Sequence, residues 1–252
     1  MISVTGKKWL QQKINKNLVE KVKQDYNLNY DLSQFIVSRN YDISEIHSIN
    51  NTQKINNIFI NDYDFQKASS IVLDAIKKNE NIGILGDYDV DGSCATSLLV
   101  RFFNHINQPY FFYIPDRIID GYGASKKLFQ KLILKNPKLI IMVDCGSNSN
   151  EAVDFLRQNN IKSIIIDHHE INNPYPKSDA LINPKKKIIK KEPTILCATA
   201  LTYFLLDILI KKIKSNFKLS KFLIYVLLAT ICDVMPLRKI NKIIAINTIR
   251  DF

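Results

Sequence analysis

Gly86-Asp87-Tyr88-Asp89-Val90-Asp91-Gly92 follows the apolar run Ile82-Gly83-Ile84-Leu85 and precedes a helical run, Ser93 to Asn107. On a strand-to-helix turn, three carboxylates at alternate positions repel one another unless a counter-charge sits among them. Hard oxygen ligands suit Mg²⁺, Mn²⁺ or Ca²⁺. An acidic loop facing solvent is the other reading of the same residues. The calcium loop of an EF-hand also opens D-x-D-x-D-G, but it needs a bidentate Glu at its twelfth position. Counted from Asp87, that position is Leu98. The segment before Asp87 also reads as a buried strand, where an EF-hand needs a helix.

Working outward, the same pattern recurs. Lys138 to Val143 is a second apolar run and ends in Asp144-Cys145-Gly146-Ser147. Lys162 to Ile166 is a third and ends in Asp167-His168-His169-Glu170. Amphipathic helical stretches follow at Ser93–Asn107 and Asn150–Asn160. Strand, carboxylate and helix in alternation predict βαβ units, hence an α/β fold with a parallel sheet flanked by helices. Ligands of such sheets gather at the carboxyl ends of the strands, which is where these acidic and imidazole groups fall. Further helices are predicted at Asp64–Lys78, Ala124–Leu134, Thr194–Lys214, Leu219–Ile231 and from Asn241 onward. Further strands are predicted at Pro109–Pro115 and, briefly, Asp179–Pro184. Residues 1–65 read as a helical lead-in and 66–252 as the main domain.

Composition narrows the class. The apolar fraction of 46% is that of a globular protein. The N-terminus lacks the apolar core of a signal peptide. The longest apolar stretches are broken by Asp207 or too short to span a bilayer, so no membrane partner is expected. Four cysteines, Cys94, Cys145, Cys197 and Cys232, show no C-x-x-C spacing and sit among apolar or small residues. They read as core residues of a reduced, cytoplasmic protein. A net charge of +11 favours polyanionic partners. The densest basic cluster is Lys185–Lys191, which is either a solvated loop or a phosphate contact.

The D-x-D-x-D-G turn, the strand-ending Asp144, the Asp167-His168-His169 turn and the later Asp233 together resemble the DHH phosphoesterase superfamily. Within it, Ile114-Pro-Asp-Arg117 with Gly121-Tyr-Gly123, Ile182-Asn-Pro184 and Asp233-Val-Met-Pro-Leu237 are similar to the RecJ-type single-stranded-DNA exonucleases. The likeness runs over essentially the whole chain. Two segments depart from the family's pattern, Leu196–Ala200 and Ala229–Cys232, each small for small.

The resemblance implies a Rossmann-like DHH domain that hydrolyses phosphodiester bonds in single-stranded DNA from the 5′ end, in DNA repair and recombination. It implies two ions, Mn²⁺ or Mg²⁺, held by Asp89, Asp91, Asp144, His168 and Asp233, with Asp144 as the bridge. Asp87 is a further ligand or orients one. His169 meets the scissile phosphate as ligand or general acid, and Asp167 orients the histidines. Arg117 holds the 5′-phosphate or, alternatively, pairs with Asp116 or Asp120. Tyr122, beside Gly123, either stacks on a base or belongs to the core. Other expectations are a monomer, a family C-terminal partner domain absent from the 252 residues, and weak activity without it. A phosphodiesterase for short oligonucleotides or cyclic dinucleotides is the alternative enzyme. A nucleic-acid-binding fragment with little activity is the alternative outside catalysis.

Overall fold

The computed structural model describes residues 2–8, 10, 12–42, 45–46, 54–121, 123–186 and 195–250. The chain divides into two compact units, Met1–Lys54 and Ile55–Phe252. In the first, α1 (Lys16–Tyr26) and α2 (Tyr30–Ser38) are capped by asparagines. Asn15 accepts from Leu18 N at 3.2 Å and Asn29 from Leu32 N at 2.8 Å. Each cap satisfies a backbone donor that the first helical turn leaves over. Val22, Ile36 and Ile46 form this unit's small core.

The larger unit runs α3 (Tyr63–Lys77), β1 (Ile82–Leu85), α4 (Val90–His105), β2 (Tyr110–Tyr113), α5 (Lys126–Leu132), β3 (Leu139–Val143), α6 (Asn150–Gln158), β4 (Lys162–Ile166), β5 (Ala180–Ile182), α7 (Ala198–Ile213), α8 (Leu223–Cys232) and α9 (Lys239–Arg250). The five strands form one parallel sheet in the order β2-β1-β3-β4-β5. The predicted α/β class with a parallel sheet is therefore observed. Strands β1 and β3, and β4 from Ile164 on, read as apolar runs because both faces of the sheet are covered. Ile84, Ile141 and Ile164 face a core shared with α3, α4, α7 and α8. Leu85, Ile140, Met142 and Ile165 face a second core shared with α5 and α6. Each fully buried Leu, Ile or Phe in these cores is worth about 1.5–3 kcal/mol.

Chain order reverses between β1 and β3, since β2 lies on one side of β1 and β3–β5 on the other. Such a switch point opens a crevice at the carboxyl ends of the two strands. Two sequence readings shift in detail. The helix after β1 begins at Val90, so Asp91 and Gly92 lie inside its first turn. The expected division at residue 65 also moves, because residues 55–62 pack with the larger unit. Asn57 bonds Phe204 O and the Asp207 carboxylate, and Phe59 stacks on Phe65. No helix of the described residues is long and apolar enough to cross a membrane.

Candidate metal centre

Each candidate ligand is placed by the end of a strand or helix. Asp87 leaves β1. Asp89 caps α4, its Oδ1 accepting from Gly92 N at 2.9 Å. A Cβ on Gly92 would stand 2.5 Å from Asp87 N and 2.7 Å from Asp87 Cα, so only glycine lets α4 start this close to β1. Asp91, in the first turn of α4, reaches the N-terminus of α7. Its two carboxylate oxygens accept from Ala198 N at 2.6 Å and Thr199 N at 2.8 Å.

Asp144 ends β3 in the left-handed region, φ 62°, and is fully buried. Its N–H continues the ladder to Ile166 O at 2.9 Å. Asp167 ends β4 with its N–H on Ile182 O at 3.0 Å. Asp233 follows α8 as its C-cap, and the next residue, Val234, is also left-handed at φ 52°.

These side chains converge. His168 Nε2 lies 3.1 Å from Asp233 Oδ2, 3.2 Å from Asp144 Oδ1 and 3.5 Å from Asp91 Oδ2. Among the described residues, three groups have ligand atoms within 4.8 Å of one another: Asp87, Asp89 and Asp144; Asp144, His168 and His169; Asp91, His168 and Asp233. Asp144 belongs to two of them. Its Oδ1 and Oδ2, His168 Nε2 and Asp233 Oδ2 are buried and form no hydrogen bond. Buried lone pairs that meet without a donor are expensive. They become favourable around a divalent cation, and a mixed carboxylate–imidazole set suits Mn²⁺ and accepts Mg²⁺. The residues fit such ions.

The electrostatics agree. Burial, then the charges of Asp91 and Asp89, push the Asp144 carboxyl up to about 11. Burial also raises Asp87 and Asp233 above the ordinary carboxylate value. Asp167 goes the other way. Burial pushes it up, but the His169 ring at 2.8 Å, Ser147 N at 3.0 Å and the backbone N–H of His168 and His169 hold it below the ordinary range. The carboxylate oxygens of Asp167 are thus taken by protein donors, the His169 ring among them. The bond to Asp167 in turn raises the His169 imidazole above its ordinary value.

Arg117 is exposed and lies over the Tyr88 ring, 5.5 Å from its centroid. The alternative ion pairs with Asp116 and Asp120 do not form. Asp120 bonds Lys131 and the Tyr113 hydroxyl, and Asp116 accepts from Ile118 N and Ile119 N. Gly123 is left-handed at φ 71°. Tyr122 lies outside the described residues, as do residues 187–191 of the basic cluster. Lys185 pairs with Glu170 at 2.9 Å and Lys186 with Asp64 at 2.6 Å. Of the cysteines read as core, Cys145 and Cys197 are buried, Cys94 is half-buried and Cys232 is exposed. Sequence reading missed Ser147 and Asn183, small polar residues that follow β3 and β5 and reach the His169 loop.

Comparison with known proteins places this geometry. The relatives include the single-stranded-DNA-specific exonuclease RecJ of Haemophilus influenzae, 29% identical over 73% of this chain and 33% of that protein. They also include RecJ of Bacillus subtilis, 29% identical over 71% of this chain and 22% of that protein. The chain thus spans a third or less of these relatives' length. Among solved structures, RecJ in complex with Mn²⁺ from Thermus thermophilus superposes with a TM-score of 0.74 at 19% identity, covering 91% of this chain and 32% of that one. A crystal structure of exonuclease RecJ bound to manganese gives 0.65 at 23% identity, covering 77% and 47%. The family model described as DHH family, N-terminal domain, matches residues 81–231. That range runs from the start of β1 almost to Asp233 and takes in every other residue of the acidic cluster, so the chain belongs to the DHH family.

Proposed function

We propose that this chain hydrolyses phosphodiester bonds of single-stranded DNA, using two divalent cations, Mn²⁺ or Mg²⁺, and working from the 5′ end. The observation that carries the reading is the shared, donor-free carboxylate of Asp144 between an all-aspartate group and a histidine group. In this reading Asp87, Asp89 and Asp144 would hold one ion, and Asp144, His168, Asp233 and Asp91 would hold the other. Bound there, divalent ions supply charge neutralisation at the phosphoryl oxygens and a water of lowered pKa. The protein's own groups do the rest. Asp167 accepts a hydrogen bond from Nδ1–H of His169, which leaves Nε2 as the ring atom that meets a phosphoryl oxygen or the leaving group. Arg117, laid on Tyr88, offers a planar fork to a terminal 5′-phosphate. Tyr122 and Gly123 complete the strand contact. The cellular role is read as DNA repair and recombination by a cytoplasmic monomer.

Lys185 and Lys186 are tied up in ion pairs. Strand binding by these 252 residues is expected to be weak and salt-sensitive, because phosphate contacts dominate affinity. The test uses 5′-phosphorylated single-stranded, duplex and short-oligonucleotide DNA with Mn²⁺ at low salt. Single strands should be shortened from the 5′ end, duplex much less, and chelator should stop the reaction. Asp144→Ala should abolish hydrolysis and reduce the Mn²⁺ stoichiometry seen by calorimetry. Equal cutting of duplex, or activity confined to the shortest oligonucleotides, overturns the exonuclease reading.

A further inference from the structure

Asn183 lies directly after β5 and is nearly buried. Its amide is fully used. Oδ1 accepts from Lys185 N at 2.8 Å. Nδ2 donates to Ser147 Oγ at 2.7 Å and to the backbone carbonyl of His169 at 3.0 Å. The orientation of the amide follows from its neighbours. A backbone N–H stands on one side and a backbone C=O on the other, so only one assignment of O and N satisfies both. Ser147, buried in the turn after β3, joins the same network from its other end. Its N–H bonds Asp167 Oδ2 at 3.0 Å while its hydroxyl receives Asn183. Asp167 Oδ1 holds the Nδ1 of His169 at 2.8 Å. His169 is therefore gripped twice, at its ring by Asp167 and at its carbonyl by Asn183, and Ser147 links the two grips. The neighbouring residue braces the same loop, since Asn148 donates to Glu170 O at 2.6 Å and accepts from Asn172 N at 3.1 Å.

We infer that Asn183 and Ser147 are positioning residues that fix the tautomer and the aim of His169. The inference rests on the reading of His169 as the group that meets the scissile phosphate. The ends of three neighbouring strands, β3, β4 and β5, supply the parts, so the aim of His169 is set by the sheet rather than by its own loop. The ligand atoms Asp144 Oδ1 and Oδ2, His168 Nε2 and Asp233 Oδ2 make no hydrogen bond to Asn183 or Ser147, which separates the aim of His169 from the holding of ions, although Asp167 also receives His168 N. Partners one layer out from reacting groups commonly contribute about 10- to 100-fold.

Two measurements test this. The first is ¹⁵N NMR of the metal-free chain, with the His169 ring identified by its loss in His169→Ala. The native ring should be the Nδ1–H tautomer, and Asn183→Ala and Ser147→Ala should turn it into a mixture. The second is hydrolysis of a 5′-phosphorylated oligodeoxynucleotide with Mn²⁺. Asn183→Ala and Asn183→Asp should each lower kcat by about 10- to 100-fold and leave KM and Mn²⁺ stoichiometry in place. Asp keeps the acceptor for Lys185 N but lacks the donor, so it should not rescue. Ser147→Thr keeps the hydroxyl and should behave as the native chain. In a His169→Ala background the Asn183 and Ser147 variants should cost nothing further. Equal losses with and without His169, or an unchanged tautomer in both alanine variants, overturn the proposal. If His169→Ala itself leaves the rate unchanged, the reading of His169 fails, and the NMR measurement still decides whether the network sets its tautomer.

Discussion

Asp144 combines three properties that conflict in a metal-free protein: a left-handed backbone, complete burial and a carboxylate without a donor. Aspartate tolerates that backbone better than most residues, yet the conformation still costs on the order of 1 kcal/mol. Unfolded, the side chain ionises near 3.8; folded, it keeps its proton up to about 11. Between those values unfolding releases a proton, so rising pH favours the unfolded chain. Asp87 and Asp233 are shifted in the same direction. We expect the Tm of chelator-treated protein to fall as pH rises from about 5 to about 9, and Asp144→Asn to flatten the slope. Adding Mn²⁺ should displace the protons and remove the fall. A chelated protein that gains stability with pH contradicts this account. At the same scale the sequence was uneven. Charged residues at strand ends announce themselves by type and position. Asn183 and Ser147 carry no charge, and their partners are distant, Ser147 lying 36 positions from Asn183. The left-handed Val234 is hidden too, since a β-branched residue gives no hint of a conformation usually left to glycine or asparagine.

At the scale of elements, Asp91 joins two helices. It lies in the first turn of α4 and serves as the N-terminal anion of α7, whose own cap residue, Cys197, makes no capping bond to the helix and turns its thiol to the Thr230 hydroxyl. The Thr199 hydroxyl returns a bond to Asp91 O at 2.8 Å. Asp91→Asn would set an amide NH₂ against one of the two α7 N–H groups. The expected cost is about 1–3 kcal/mol, read from urea unfolding in chelator. Asp144→Asn should cost little under the same conditions, because an amide resembles the protonated acid. Equal destabilisation by the two variants would show that Asp91 has no separate bracing role. The elements themselves were largely legible. Apolar runs ending in Asp marked β1, β3 and β4, and helical periodicity marked α3 to α9 within a few residues. The early start of α4 was not, because Asp91 and Gly92 look like turn residues until α7 is seen to hold them. That contact spans 107 positions.

At the scale of the molecule, the parallel direction of the strands was implied by the alternation of strand and helix, while the order β2-β1-β3-β4-β5, which fixes the neighbours, was not. The division at 54/55 was invisible for a similar reason, since Asn57 finds its partners in α7, 147 and 150 positions away. The switch point between β1 and β3 also bears on time. Asp87 and Asp233 stand 146 positions apart (233 − 87), and the turns between them come together only after the crossovers have wrapped the sheet. Long-range parallel pairing is slow to form, so the cluster is expected to close on the native side of the folding barrier. Ligands that recognise contacts absent from that barrier change unfolding and leave folding alone. Stopped-flow refolding should run at one rate with or without Mn²⁺. Unfolding should slow about 100-fold at free Mn²⁺ near 100 times its Kd, for one site. Faster refolding with Mn²⁺ would mean that the carboxylates meet early. If the rates divide as expected, the metal governs how long each folded molecule lasts, and the apolar sheet governs how soon it forms.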